Sequence, residues 1–145
     1  MDITVKVEGL KGVEDALADL GPKLARSALR KGLSEAAKPM VAKAKALAPV
    51  DNGKVPGSKP GELRDSIGAV VQTKKDGSAK AIIGPRYNKA DGNQSPGVYG
   101  KFVEFGSVHN PVPSPFLRAS FDGSNKEALD KFVDVVRAAL PGLGK

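Results

Sequence analysis

The residues that could do chemistry in this 145-residue chain are few. It has no cysteine and one histidine, His109, which removes thiol nucleophiles, disulfides, thiolate zinc sites and any His-paired metal centre formed within one chain. Glu62, Asp65 and Glu104 could supply a carboxylate pair, but acid/base work needs two groups of separated pKa in one cleft. No spacing in the sequence brings them together, so solvated or salt-bridged acids are the favoured reading. His109, between Val108 and Asn110 in a proline-flanked loop, reads as an exposed loop residue, because no nucleophile sits in an elbow such as G-x-S-x-G. The glycines form neither a G-x-x-x-x-G-K-[ST] loop nor a G-x-G-x-x-G turn, so nucleotide binding is not expected. No catalytic residue, cofactor or metal is assigned, and the chain is not expected to be an enzyme.

Charge is the stronger signal. The formal net charge is +7, which keeps acidic partners, nucleic acid among them, in play. It is unevenly placed: residues 1–20 carry net −3, residues 21–60 net +7, residues 61–122 net +2 and residues 123–145 net +1. Lys23, Arg26, Arg30, Lys31, Lys38, Lys43 and Lys45, with Glu35 as the one acid among them, could contact DNA phosphates. That segment has no aromatic residue for base stacking and no Asn or Gln to read base edges, so a small basic nucleic-acid-binding protein stands as the alternative reading. A solvated helix face is the favoured reading of these bases. The acidic first twenty residues of an adjacent copy are a third destination, preferred over a DNA channel because a lysine-packed lumen would hold DNA by many contacts and slow its exit. The basic face is represented by Arg26, Arg30 and Lys31.

The elements that must position these groups follow from periodicity. Ile3, Val5 and Val7 alternate with polar residues as in a half-buried strand that ends at Gly9. A short helix through Val13, Leu17 and Leu20 stops at Gly21-Pro22. From Lys23 to Leu47 apolar residues recur at three- and four-residue spacings, the longest amphipathic helix, with a kink or break expected at Pro39. Pro49 to Gly61 reads as a loop. Ser66–Thr73 and Ala79–Pro85 form a hairpin across Lys75-Asp76-Gly77-Ser78, Tyr87–Pro96 is a polar loop, and Val98–Phe105 is read as helix because Tyr99, Phe102 and Val103 fall at i, i+3 and i+4. Ser124 with Glu127 fits a capping box before Leu129, Phe132, Val133, Val136 and Leu140. The expected fold is a single α+β domain, 1–145, ordered β-α-α-β-β-α-α, with a small antiparallel sheet packed against two principal helices and mobile loops near 50–60 and 87–96. No apolar run reaches the ~18 residues of a membrane span, and the N-terminus lacks signal-peptide features, so synthesis in a cytoplasm is expected.

Two bulky tracts remain. Phe102-Val103-Glu104-Phe105-Gly106-Ser107 surrounds one carboxylate with apolar residues, and Pro115-Phe116-Leu117-Arg118 carries one guanidinium. A Glu104–Arg118 pair, within or between subunits, is a natural use of the two charges. A chain with seven aromatic residues is expected to bury most of its phenylalanines.

These tracts resemble a known family. Ala48-Pro49 at a helix end, Gly61-Glu62-Leu63-Arg64-Asp65-Ser66-Ile67, Tyr99-Gly100-Lys101-Phe102-Val103-Glu104-Phe105-Gly106-Ser107, then Pro115-Phe116-Leu117-Arg118 and a final amphipathic helix look like the neck or tail-completion proteins of long-tailed bacteriophages, which join head to tail. Gly100 stands where that pattern has alanine, Ser107 where it has threonine and Ala119-Ser120 where it has Pro-Ala, while Lys54 to Pro60 looks like an insertion. The resemblance implies a structural virion protein of the neck or upper tail, made in the bacterial host cytoplasm. It would assemble as a homo-oligomeric ring that contacts head-closure, tail-terminator and tail-tube proteins, with non-specific DNA contact in the channel and no membrane. It makes Tyr99, Phe102, Glu104, Phe105, Gly106, Phe116 and Arg118 the candidate interface or family-motif residues.

Overall fold

The structure is a computed structural model in which residues 18–19, 21–50, 59–108 and 111–139 are described. The expected strand at Ile3–Val7, most of the short helix after it, residues 51–58 of the proline- and glycine-rich loop, and His109 lie outside the described residues. Among those described, the order is α1 (Pro22–Leu47), α2 (Glu62–Ser66), β1 (Ile67–Thr73), β2 (Ala79–Pro85), a 3₁₀ segment (Lys89–Gln94), α3 (Pro96–Phe105) and α4 (Phe116–Ala139). The fold is α+β, with α1 and α4 as the principal helices and an antiparallel two-stranded sheet β1-β2. The chain's internal contacts define two compact units that divide at Pro39/Met40, Gly68/Ala69, Ile82/Ile83 and Ser124/Asn125, so both long helices and both strands contribute to each.

In the unit containing the first half of α1, Ala28 is buried, and Ala128, Phe132 and Val136 recur every fourth residue along α4 as its buried stripe. One face of a helix is built by that spacing. The two helices meet at Gly32, where a Cβ would lie 2.8 Å from Val136 Cγ2 and 3.0 Å from the Phe132 ring. Glycine in mid-helix carries a propensity penalty of roughly 1 kcal/mol, and close approach is what it provides in return. The hairpin turn belongs to the same unit. Gly77 N–H donates to Lys74 O at 3.2 Å and Lys74 N–H to Ser78 O at 2.8 Å, while Gly77 takes φ 89°. This is a type I turn followed by a glycine bulge, so Asp-Gly acts here through the left-handed conformation of glycine. Asp76 accepts from Ser78 Oγ at 2.7 Å and from Ser78 N at 2.9 Å, and these bonds, the hydroxyl's first, hold its carboxyl below the usual range.

In the other unit the core is Met40 and Ala44 of α1, Ala48 just beyond its end, Leu63, Ile67, Ile83, and Phe116 and Leu117 at the start of α4. Gly97 presses on backbone: a Cβ there would lie 2.7 Å from both Tyr87 N and Tyr87 Cα, and Gly97 N–H donates to Arg86 O at 2.9 Å. At Gly100 a Cβ would lie 2.8 Å from Pro85 Cγ. The proline that ends β2 thus explains the glycine at a position where the resembling pattern has alanine.

Two expectations are corrected. Of the kink or break expected at Pro39, the break does not occur: α1 runs through it to Leu47; the missing N–H costs one bond, and buried Ala37 and Met40 hold the helix on either side. Ser124 is not a helix cap. The helix begins at Phe116, and Ser124 lies within it, buried, its Oγ donating to Ser120 O while Ser120 Oγ donates to Leu117 O at 2.7 Å. A serine hydroxyl that bonds back to the preceding turn satisfies itself inside a helix as well as a cap would.

Gly32→Ala is expected to destabilise the protein by about 1–3 kcal/mol through overpacking against Val136 and Phe132, measured as a lower urea midpoint with an unchanged slope. For Asp76 the folded pKa is depressed, so its contribution is complete above the unfolded carboxyl pKa and is lost as pH falls through the folded value. Asp76→Asn should remove that part of the acid dependence, seen when the pH-dependent shift of the Ser78 amide resonance disappears.

Candidate functional site

The site grows from α3. Its first residue is Pro96, whose fixed φ and missing N–H suit the first helical position. Ser95 before it is fully buried, its Oγ accepting from Asn88 N at 2.7 Å and donating to Arg86 O at 3.4 Å. Pro96, Gly100 and Glu104, spaced by four, are the helix's buried residues, which turns Lys101, Phe102 and Phe105 outward. Gly106 ends the helix at φ 83°, ψ 168°, a region that only glycine enters without strain.

A glutamate on a buried face needs partners, and Glu104 finds them at the start of α4. The first amides of a helix have no acceptor within it, and Pro115, the preceding residue, has no side chain able to cap. The Phe116 amide reaches Ser114 O at 2.8 Å and the Ala119 amide Pro115 O at 3.1 Å. The remaining two go to Glu104: Leu117 N donates to Oε2 at 2.8 Å and Arg118 N to Oε1 at 3.1 Å. A carboxylate here also meets the positive end of the helix dipole. Arg118 closes the clamp, with Nε donating to Oε1 at 3.1 Å and Nη2 to Glu104 O at 3.4 Å, and Ser114 N donates to Val103 O at 2.8 Å. The glutamate side chain is 1% exposed and that of Arg118 57%, so the pair runs from the core to the surface.

On the outside the clamp carries a surface. The Arg118 guanidinium sits 5.2 Å from the centre of the Phe105 ring and Lys101 Nζ 5.1 Å from that of Phe102, both within cation–π range. Phe105 is 60% exposed, Phe102 47%, Val108 96% and Val112 72%. Two of the five phenylalanines therefore stay outside, whereas Phe116 and Phe132 are buried.

The candidate interface residues thus divide by position: Phe102, Phe105 and Arg118 at the surface, Glu104 and Phe116 in the interior, and Tyr99 and Gly106 half-buried. The Glu104–Arg118 pair lies within one subunit. The sequence did not reveal that backbone amides are the main partners of Glu104; the signal was Pro115, which marks a helix start without a side-chain cap. Asp65 stands apart, bonded to Arg64 Nε at 2.9 Å, a contact that lowers its carboxyl's pKa. It lines a groove of 470 Å³ with Glu62, Arg86, Asn88 and Asp91. Arg26, Arg30 and Lys31 are exposed on α1, and Glu35 there pairs with Lys38 at 2.7 Å, which holds its carboxyl low.

Such a site holds a surface in shape, and that suits a subunit of an assembly. Residues 11–106 match the family model described as "Bacteriophage HK97-gp10, putative tail-component", and the chain belongs to this HK97-gp10-like family. Its role is that of a structural component of the phage tail, in a family of virion proteins and not of enzymes. No curated protein and no solved structure matches. The family match stops at Gly106, before Pro115-Phe116-Leu117-Arg118, the tract that Glu104 ties to it. Among the described residues no helix is long and apolar enough to cross a membrane.

Glu104→Ala should cost about 2–4 kcal/mol, because two helix amides lose their acceptor, whereas Glu104→Gln, which keeps one acceptor oxygen, should cost less. Arg118→Ala should cost about 1 kcal/mol or less, its partner being still bonded to two amides and its own side chain largely in water. Urea denaturation of the three variants gives the order.

Proposed function

We propose that this tail component is a subunit of a ring at the phage neck that joins the DNA-filled head to the tail, made in the host cytoplasm and carried in the virion. The observation that carries the reading is the exposed Phe102–Phe105 surface held by a buried carboxylate: apolar area kept in one shape before any partner arrives is the property of a subunit built to associate. Copies meet around the ring through Phe102, Phe105 and Arg118, while Glu104, Gly106 and Phe116 hold that surface and Tyr99 flanks it. A closed ring needs two different, complementary faces on each copy. Head-closure, tail-terminator and tail-tube proteins are the axial partners, contacted through the polar segments 50–60 and 87–96.

The exposed bases of α1 supply a second surface, which we assign to DNA passing through the ring. Arg26, Arg30 and Lys31 stand in solvent, but Lys38 is paired with Glu35, the Lys43 stem lies 3.3 Å from where a Cβ on Gly123 would be, and Lys45 is half-buried. A lumen lined by these bases attracts phosphate without sequence preference. We take the channel over the interface preferred from sequence because Lys38 is already paired and Lys45 half-buried, which lessens the objection that a lysine-packed channel would slow DNA exit.

Particles made without this protein should contain filled heads and separate tails, visible by negative-stain microscopy; joined, infectious particles would overturn the reading. Charge reversal at Arg26, Arg30 and Lys31 together should leave heads and tails joined but change DNA retention. Loss of joining would instead place these bases at a protein interface, and normal joining with normal DNA release would leave them as a solvated face.

A further inference from the structure

The surface over the clamp carries cations and no exposed acid. Phe102, Phe105, Val108 and Val112 are exposed, with Lys101 on the Phe102 ring and Arg118 on that of Phe105. From Pro96 to Phe121 the single acid is Glu104, which is buried and already paired with Arg118. Lys101 has no ion pair among the described residues. A fitting occupant brings a carboxylate to Lys101 and apolar area to the rings.

The other end of α3 offers both. Pro96, its first residue, lines the 470 Å³ groove together with Pro60 and the carboxylates of Glu62, Asp65 and Asp91. Exposed Tyr87 stands in the chain between Arg86 and Asn88 of the same lining. Asp65 is held by Arg64, whereas Glu62 and Asp91 have no ion pair among the described residues. Lys59 and Arg86 line the groove too, but the carboxylates outnumber them, and Arg86 lies over Gly68, its Nε 3.3 Å from where a Cβ would be. Acids elsewhere suit Lys101 less well. Glu35 and Glu127 face bases of their own helices, and Asp76 is bonded to Ser78. Asp122, Asp130 and Asp134 stand on α4 among Lys126, Lys131 and Arg137, where Leu129 is the one large apolar side chain exposed on that helix.

We propose that the Phe102–Phe105 surface of one copy docks into this groove of the next, an inference that rests on the ring reading. The two phenylalanines meet the Pro60 and Pro96 rings and Tyr87, since proline packs readily against aromatic side chains, while Lys101 meets Asp91 and Glu62. Groove and phenylalanines stand at opposite ends of a ten-residue helix, about 15 Å long. The contact therefore joins unlike faces, as a closed ring requires. The groove side of the 87–96 segment then serves the ring, and its remaining surface the axial partners.

Charge exchange tests the contact. Lys101→Glu, Asp91→Lys and Glu62→Lys are made singly, and Lys101→Glu is then combined in one chain with each of the other two. The single variants should keep the urea midpoint of the unchanged protein yet lower the yield of joined, infectious particles about tenfold, because like charges then meet between copies. At least one double variant should restore the yield to within about twofold, since every contact in the ring regains an opposite pair. Normal joining by Lys101→Glu, or a defect that neither double variant relieves, would overturn the inference. An amine-reactive cross-linker applied to unchanged particles keeps the two readings apart. A ladder of oligomers without rescue defeats this inference alone, whereas the lack of any ladder defeats the ring itself.

Discussion

Much of this molecule depends on where one carboxylate goes. Glu104 lies on the buried face of α3, where a charge without partners would be expelled or neutralised. Its two oxygens accept the Leu117 and Arg118 amides, which the helix cannot satisfy and Pro115 cannot cap. Each side solves the other's problem: the helix start needs an acceptor, and the buried acid needs donors. The result ties residues thirteen and fourteen positions apart, and so sets where α4 begins.

From that bond outward the tract changes character. The oxygens face the core and the backbone, the Arg118 side chain reaches the surface, and Phe105 lies under the guanidinium. Gly106 turns the chain at once after the second phenylalanine, in a conformation other residues avoid. Interior bonding thereby holds exterior shape, and in the ring proposed above this would lower the entropic cost of association.

The sequence disclosed those elements whose signals are local. The α1 stripe, the hairpin with its Asp-Gly turn, and α3 were legible because period and turn chemistry reside in adjacent residues. The start of α4 was not. Ser124 with Glu127 imitates a helix start, and the true start is fixed by a glutamate in another helix, a long-range fact that no window on the sequence contains. The same limit hid the exposure of Phe102 and Phe105, whose hydrophobicity speaks for burial while the i, i+4 row Pro96-Gly100-Glu104 has taken the inward face. The Glu104–Arg118 pairing was legible as charge complementarity, its backbone half was not, and Gly100 made sense only with Pro85 against it.

The central claim is that a tail component of the HK97-gp10-like family works as a ring subunit at the neck through the surface over this clamp. A cryo-electron microscopy reconstruction of the neck of joined particles tests it most directly. The account predicts a closed ring of this chain between head and tail, with Phe102 and Phe105 covered by the adjacent copy. A neck from which the chain is absent, or a ring in which both phenylalanines face solvent, would contradict it.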